Sequence, residues 1–258
     1  MDSGELEPCE LLEWDTAFWG FPVARVRGDT LDRDSIVRID GWCRRNVVRC
    51  LYFLARPDHQ ATTDLAETSG FRLVDVRMDF RRSLHGETAP VEDLAPGPAV
   101  VRPSRQQDVD ALCTIAGQNF RSTRFYYDPC FPRHLCDRLY ETWTRVSCDG
   151  YAQLVLVAEL DGEPVGYITC HLDGEPRSGR IGLLAVRDGA RDRGVGRTLV
   201  LGALEWFRSQ AVQAVFVATQ GRNCAAQRLY QRCGFLTASV QLWYHKWYPS
   251  PGGHRRWI

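Results

Sequence analysis

The stretch Gly179-Arg180-Ile181-Gly182-Leu183-Leu184-Ala185-Val186, followed by a basic turn from Arg187 to Arg193 and then by Gly194-Val195-Gly196-Arg197-Thr198, decides the fold. Ile181 to Val186 is a short apolar run bounded by Gly179 and by Arg187-Asp188-Gly189, which predicts a strand buried on both faces. Beyond the turn, Leu199, Val200, Ala203, Leu204 and Phe207 recur at spacings of three and four. That periodicity predicts a helix with one apolar stripe, leaving Arg197, Glu205 and Arg208 toward water. Strand, turn and helix thus follow one another through glycines.

Such a junction suits an anion. The first N–H groups of a helix lack intrahelical partners and carry the positive end of the helix dipole. Gly194 and Gly196 let a ligand approach the backbone, and Arg191, Arg193 and Arg197 surround the helix start with charge. Two glycines alone would fit an ordinary turn; the arginines favour phosphate. A P-loop would need Gly-Lys-Ser/Thr, but Arg197 follows Gly196. A dinucleotide fingerprint would need a small residue where Leu199 stands. The remaining pattern, Arg191-x-x-Gly194-x-Gly196, resembles the pyrophosphate loop of the GNAT superfamily of N-acetyltransferases. That resemblance implies acetyl-coenzyme A as cofactor, with Val195, Arg197 and Thr198 also in the phosphate cradle.

The chain has 258 residues, 44% hydrophobic and 25% charged, with zero formal net charge. That composition is of a globular protein, and no global field draws it to nucleic acid or an anionic membrane. Met1 to Glu10 is acidic and polar, so no secretory signal is read there, and no apolar run reaches membrane-spanning length; a cytoplasmic protein is expected. The ten cysteines are scattered with no Cys-x-x-Cys pair, which favours free thiols over a metal site.

Along the chain, Leu11 to Val26 holds Trp14, Phe18, Trp19 and Phe21 and is read as a loop-and-strand cap. A helix is expected over Asp32 to Asn46, a strand over Cys50 to Ala55, a helix over Thr62 to Thr68 and a strand over Phe71 to Arg81. Residues 85–98 have the Pro-, Gly- and acid-rich composition of a linker. After it come strand Val100 to Pro103, a helix to Asn119 with Ser104 as N-cap, a helix over Pro132 to Ser147, and a hairpin of Gln153 to Glu159 and Pro164 to His171 turning at Asp161-Gly162. Strand Ala214 to Thr219, a helix from Asn223 to Cys233 stopped by Gly234, and strand Phe235 to Trp247 close the chain. An internal echo joins the halves: Phe53 to Ala55, Ser69-Gly70-Phe71 and Phe80 parallel Phe216 to Ala218, Cys233-Gly234-Phe235 and Tyr244.

The order of elements is that of GNAT proteins. The resemblance implies an α/β (α+β) fold, with a central mixed, mostly antiparallel twisted sheet flanked by helices. A catalytic GNAT domain is expected at 99–258, preceded by a degenerate GNAT-like domain at 1–84 and the linker at 85–98.

Acetyl transfer to an amine requires the cofactor held, the carbonyl polarised, the amine neutral and the leaving thiolate protonated. In GNAT enzymes the strand before the loop splays from its neighbour and offers backbone N–H groups to the thioester, and Leu184, Ala185 and Val186 match that position. The family also places a tyrosine acid on the helix where Tyr230 lies, in Arg228-Leu229-Tyr230 followed by Gly234-Phe235; its helical spacing from Ala226 and Cys233 equally suits a core ring. The echo has Ala66 there. Asn223 suits both an N-cap and a contact to the pantetheine arm, and Gln220 ends a strand where ligands gather. Arg121, Arg124, Phe125 and Tyr126 cluster on a loop that could pair with phosphate and stack on a base, or fold its rings into the core. No acid stands on the central strand, so the amine loses its proton through water or to His171.

Further segments resemble the TDP-fucosamine acetyltransferases: Leu12 to Gly20, Arg121 to Phe125, Arg180 to Ala185, and Val217 to Gln220 with Asn223, Ala225 and Ala226. That family is dimeric and acetylates the 4-amino group of a nucleotide-linked 4-amino-4,6-dideoxy sugar. This chain departs from it in its fuller Arg-x-x-Gly-x-Gly loop and its tail from Trp243 to Ile258. The expectation is acetyl transfer from acetyl-coenzyme A to a small-molecule amine, with a nucleotide-linked amino sugar foremost. An acyltransferase for an amino acid, antibiotic or protein amine, and a non-catalytic acyl-coenzyme A sensor, stay open.

Overall fold

The computed structural model describes residues 6–85, 97–174 and 178–249. The Met1 to Glu10 segment is described only from Leu6, the expected linker only at His85, Gly97 and Pro98, and the tail only to Pro249; the rest of each lies outside the described residues. The elements run β1 (Cys9–Leu11), α1 (Glu13–Trp19), β2 (Val23–Val26), α2 (Arg33–Arg45), β3 (Cys50–Ala55), α3 (Gln60–Thr68) and β4 (Arg72–Ser83). They continue with β5 (Val100–Pro103), α4 (Val109–Asn119), α5 (Arg124–Tyr127), α6 (Arg133–Val146), β6 (Leu154–Leu160), β7 (Glu163–Asp173), β8 (Ser178–Val186), α7 (Val195–Ser209), β9 (Ala214–Gln220), α8 (Cys224–Arg232) and β10 (Leu236–Trp247).

Two compact units divide the chain, and neither is contiguous. One comprises Met1–Arg77, Tyr127–Pro132 and Val240–Ile258, the other Met78–Tyr126 and Arg133–Ser239, so the boundary falls inside β4 and inside β10. In the first unit the strands run β1-β2-β3-β10. There β2 and β3 are parallel, and β10 pairs antiparallel with β3 from Leu242↔Ala55 to Trp247↔Cys50. Its core holds Ile39, Trp42, Leu51, Phe53, Phe71 and Tyr244. The inserted segment is held by buried Asp128, whose carboxylate bonds His245 Nδ1 (2.7 Å) and accepts from Trp247 Nε1 (2.8 Å) and the Cys130 N–H (3.1 Å).

In the second unit the strands run β4-β9-β8-β7-β6-β5, with β8 and β9 parallel and β5 to β8 antiparallel. The α7 stripe predicted from spacing is buried throughout: Leu199, Val200, Ala203, Leu204 and Phe207 are all fully enclosed. At about 1.5–3 kcal/mol for each large side chain, this face is a principal reason α7 is ordered. Arg102 on β5 forks onto Asp108 (2.7 and 3.0 Å) and reaches Glu159, fastening β5 to the start of α4 and to β6.

The echo has the same capping geometry in both copies. Both α3 and α8 have nine residues. Gly70 (φ 82°) and Gly234 (φ 77°) both turn left-handed after their helices. The N–H of Phe71 donates to Ala66 O and that of Phe235 to Tyr230 O, each at 3.0 Å, the closing bonds of a helix C-terminus.

Three local expectations are corrected. The Leu11 to Val26 region contains a helix, α1, ended by Gly20 at φ 77°; its run of aromatics hides the helical period. Ser104 does not cap α4. A short 3₁₀ turn, Gln106–Asp108, precedes that helix, and the Asp108 carboxylate accepts the Arg105 N–H (2.7 Å) while paired with Arg102, a stronger arrangement than a neutral hydroxyl offers. Finally, β8 is not buried on both faces: Ile181 and Ala185 are buried, but Leu183, Leu184 and Val186 are half-buried and Gly182 is exposed. All ten cysteines are free thiols.

Candidate acyl-transfer site

The site forms where β8 loses a neighbour. Pairing with β9 covers Gly179↔Val215 to Ile181↔Val217 and stops, although β8 continues to Val186. Pairing with β7 continues on the other edge, with a register shift that sets Gly182 and Leu183 opposite the single residue Thr169. The Arg187 N–H donates across to Val165 O on β7 (2.8 Å). Backbone N–H groups alternate between the edges of a strand, so those of Val186 and Leu184 turn toward the edge that β9 has left. Ala185 packs inward from between them.

The turn beyond β8 opens with a 3₁₀ segment, Asp188–Ala190, and passes through Asp192 (φ 58°) and Gly194 (φ 78°). Gly194 is the N-cap of α7. Among the described residues no side chain caps this helix, and no acidic residue stands in its first turn. The Thr198 N–H and hydroxyl both donate to Gly194 O (3.0 and 3.1 Å). Val195 is buried beneath the turn, Gly196 and Arg197 are half-buried, and Arg191 and Arg193 are exposed. Arg191 pairs with Asp188 (2.9 Å) and donates to Asn119 Oδ1 (2.6 Å), tying the turn to the end of α4. Gly97 lies against the turn: its N–H donates to Thr198 Oγ1 (3.0 Å), and a Cβ there would sit 2.7 Å from Arg193 O.

Tyr230 stands on α8, which α7 meets closely, since a Cβ on Gly196 would lie 3.2 Å from Leu229 Cδ2. Its ring is buried beside Phe80 (6.1 Å) and Phe235 (5.8 Å). The hydroxyl makes no hydrogen bond among the described residues, and burial raises its pKa, keeping the proton on oxygen. Asn223 caps α8, accepting the Ala226 N–H at 3.2 Å. Gln220 O accepts from Gln227 Nε2 (3.0 Å), fixing the β9 to α8 turn.

The residues expected on one loop are placed unequally, and Arg124, Phe125 and Tyr126 belong to the short helix α5 rather than to a loop. Arg121 is exposed, and the Arg124 guanidinium covers the Phe125 ring at 4.3 Å. Phe125 is a core ring, only 2% exposed, and the Tyr126 hydroxyl donates to Asp137 (2.7 Å). His171 is buried on β7 with Nε2 3.3 Å from Thr169 Oγ1. Burial and the nearby Arg180 charge, partly offset by Asp173 and a bond to the Tyr151 backbone, lower its pKa to about 4, so it is neutral near pH 7. Sequence reasoning missed Asn119 and Thr169; neither carries a local signal, because each acts through a partner distant in the chain.

The arrangement fits the group that the sequence implies. A pair of N–H groups on an open strand edge suits a carbonyl oxygen, and an uncapped helix start ringed by arginines suits a pyrophosphate. A buried phenol on the adjoining helix suits a proton donor.

The acetyltransferase (GNAT) family profile matches residues 119–235. The chain is 26% identical over 243 residues to a dTDP-fucosamine acetyltransferase of Escherichia coli, covering 92% of this chain and 97% of that one. It is 29% identical over 167 residues to the spore coat polysaccharide biosynthesis protein SpsD of Bacillus subtilis, and 27% identical over 194 residues to a mycothiol acetyltransferase of Streptomyces coelicolor. These matches take in 64% and 74% of this chain but only 54% and 59% of the two relatives. Among solved structures, a GCN5-related N-acetyltransferase from Sphaerobacter thermophilus superposes with a TM-score of 0.64 at 18% identity, over 94% of this chain and 77% of that one, a likeness of fold. With the strand opening, the glycine-arginine turn and the family match all falling on the same stretch, the chain carries an acetyltransferase domain of the GNAT family.

Proposed function

We propose that the protein transfers an acetyl group from acetyl-coenzyme A to the amine of a small acceptor, with a nucleotide-linked amino sugar as the acceptor class. The observation that carries this reading is the end of β8–β9 pairing at Ile181↔Val217, immediately before an uncapped, arginine-ringed helix start. Leu184, Ala185 and Val186 would receive the thioester end of the cofactor, and Arg191 to Thr198 its pyrophosphate. The neutral amine would form its bond to the thioester carbon directly while the Leu184 and Val186 N–H groups stabilise the developing oxyanion. As the C–S bond breaks, Tyr230 would give its proton to the departing thiolate, and the surplus proton on the new amide nitrogen would leave through water. Asn223 would contact the pantetheine arm and Gln220 the acceptor.

The acceptor assignment draws on the fucosamine relative, the match that spans nearly all of both chains. Arg121 and, on α5, Arg124 supply the charge for a nucleotide diphosphate, with Phe125 and Tyr126 shaping that segment from within. The repeated capping geometry of α3 and α8 supports reading 1–84, in chain order, as a degenerate copy of the catalytic half, with 85–98 as the connection and 99–258 as the catalytic part, while the compact units regroup 78–84 with the catalytic part and 127–132 and 240–258 with the first. Cytoplasmic location and a homodimer belong to the same proposal; no helix among the described residues is long and apolar enough to cross a membrane.

The test is thiol release from acetyl-coenzyme A with nucleotide-linked amino sugars, free amino sugars, amino acids and peptides as acceptors. Release with a nucleotide-linked amino sugar alone supports the full reading. Release only with another amine replaces the acceptor, and cofactor binding without release under any condition replaces the enzyme by a sensor.

A further inference from the structure

The bulge in β8 just before Leu184 and Val186 meets side chains that the proposed chemistry does not itself use. The Leu183 N–H turns toward β7 and donates to Thr169 Oγ1 at 2.8 Å. Thr169, having accepted there, has its own proton to give, and His171 Nε2 lies 3.3 Å away. The Tyr151 backbone beside the His171 ring raises its pKa, the sense of a carbonyl facing a ring N–H. In a neutral imidazole only one nitrogen carries hydrogen, so a ring protonated on Nδ1, toward that backbone, has Nε2 as its acceptor. With this tautomer the series has one direction: Leu183 N–H to Thr169, Thr169 O–H to His171, and the His171 Nδ1–H toward Tyr151.

Gly182, the extra residue of the bulge, closes on the same pair. A Cβ there would lie 2.6 Å from His171 Nε2 and 2.7 Å from Thr169 Oγ1. Thr169 and His171 are themselves buried, at 0% and 4% exposure, and so cannot reach an acceptor in solvent directly.

We propose that Thr169 and His171 are positioning residues: their directed hydrogen-bond chain from Leu183 to Tyr151 locks the β8 bulge, and so aims the Leu184 and Val186 N–H groups at the thioester carbonyl. This rests on the reading of that strand edge as the thioester site. It assigns His171 a role as a fixed neutral acceptor rather than the base for the amine.

Two measurements test it. In nitrogen-15 spectra of the wild-type protein at pH 7, His171 is expected as a neutral ring protonated on Nδ1; protonation on Nε2, or a charged ring, overturns the chain. This readout needs no activity, so it stands even if the protein releases no thiol and the proposed function fails. In kinetics, Thr169→Val keeps the shape of the side chain but offers no acceptor to Leu183. Its kcat is expected to fall about 10- to 100-fold, the scale of a small misplacement of catalytic groups, with a smaller change in the KM for acetyl-coenzyme A. Thr169→Ser should recover kcat to within about threefold of wild type, since it restores the hydroxyl. A Thr169→Val enzyme that melts lower but keeps wild-type kcat shows a structural role only and overturns the proposal.

Discussion

Replacing Tyr230 by Phe removes one oxygen from a ring that stays packed between Phe80 and Phe235. The hydroxyl has no hydrogen bond among the described residues to lose, and the core keeps its volume, so stability should change by less than about 1 kcal/mol. The catalytic effect should be far larger. A positioned proton donor contributes about 10²-fold or more, so kcat should drop about 100-fold, equivalent to about 2.7 kcal/mol in the barrier. Acetyl-coenzyme A affinity should stay within about twofold, because the phenol acts on the leaving thiolate and not on the bound ground state. Because burial raises the phenol pKa, the wild-type rate should show no loss from phenol ionisation up to about pH 9. The assay is thiol release under saturating acceptor, alongside thermal melting of both proteins. Tyr230→Ala serves as the contrast, since emptying a buried aromatic site costs about 3–5 kcal/mol and should lower the melting temperature plainly. A Tyr230→Phe kcat within threefold of wild type would refute the assignment and leave Tyr230 as a core ring.

Other perturbations separate the remaining parts. Gly194→Ala forces a side chain into φ 78° and to 3.1 Å from Gly97 Cα; it should cost about 1 kcal/mol and raise the acetyl-coenzyme A KM about tenfold, and an unaltered KM would argue against phosphate at this turn. Because the folded-state pKa of His171 is depressed to about 4, the unfolded chain binds more protons between that value and its ordinary value of about 6.5. Stability should therefore fall as pH drops through this window, by up to roughly 3 kcal/mol from this group, and His171→Gln should flatten that slope in denaturant titrations. Asp128→Asn leaves the N–H groups around a buried carboxylate poorly matched and should cost about 3 kcal/mol in unfolding experiments; a loss under about 1 kcal/mol would show that His245 and Trp247 do not depend on it.

Much of the candidate site was legible in the chain because its signals are local. Gly194 announces a left-handed turn, the stripe from Leu199 to Phe207 announces a helix with a buried face, and three arginines announce the charge around its start. Tyr230 was legible as a position on α8, but its lack of a hydrogen-bond partner among the described residues was not. Phe125 and Tyr126 looked alike in sequence, yet one is a core ring and the other is bonded to Asp137 through its hydroxyl, a partner that α6 brings alongside. The α1 helix escaped notice because Trp14, Phe18 and Trp19 give no clean polar face from which to read a period.

The sequence by itself determined most element types, α1 and α5 excepted, together with the glycine-arginine turn and the family to which its domain belongs, since periodicity, left-handed glycines and helix-end charge act within a few residues. Tertiary structure alone decided which strand lies beside which: β10 closes on β3 and β4 on β9, so each unit takes part of its sheet from the other half of the chain. It also decided where β8 parts from β9 and how Thr169 and His171 hold the bulge. Those features depend on hydrogen bonds between segments far apart in the chain, and alternation along a strand fixes which way an N–H points but not what will be there to meet it.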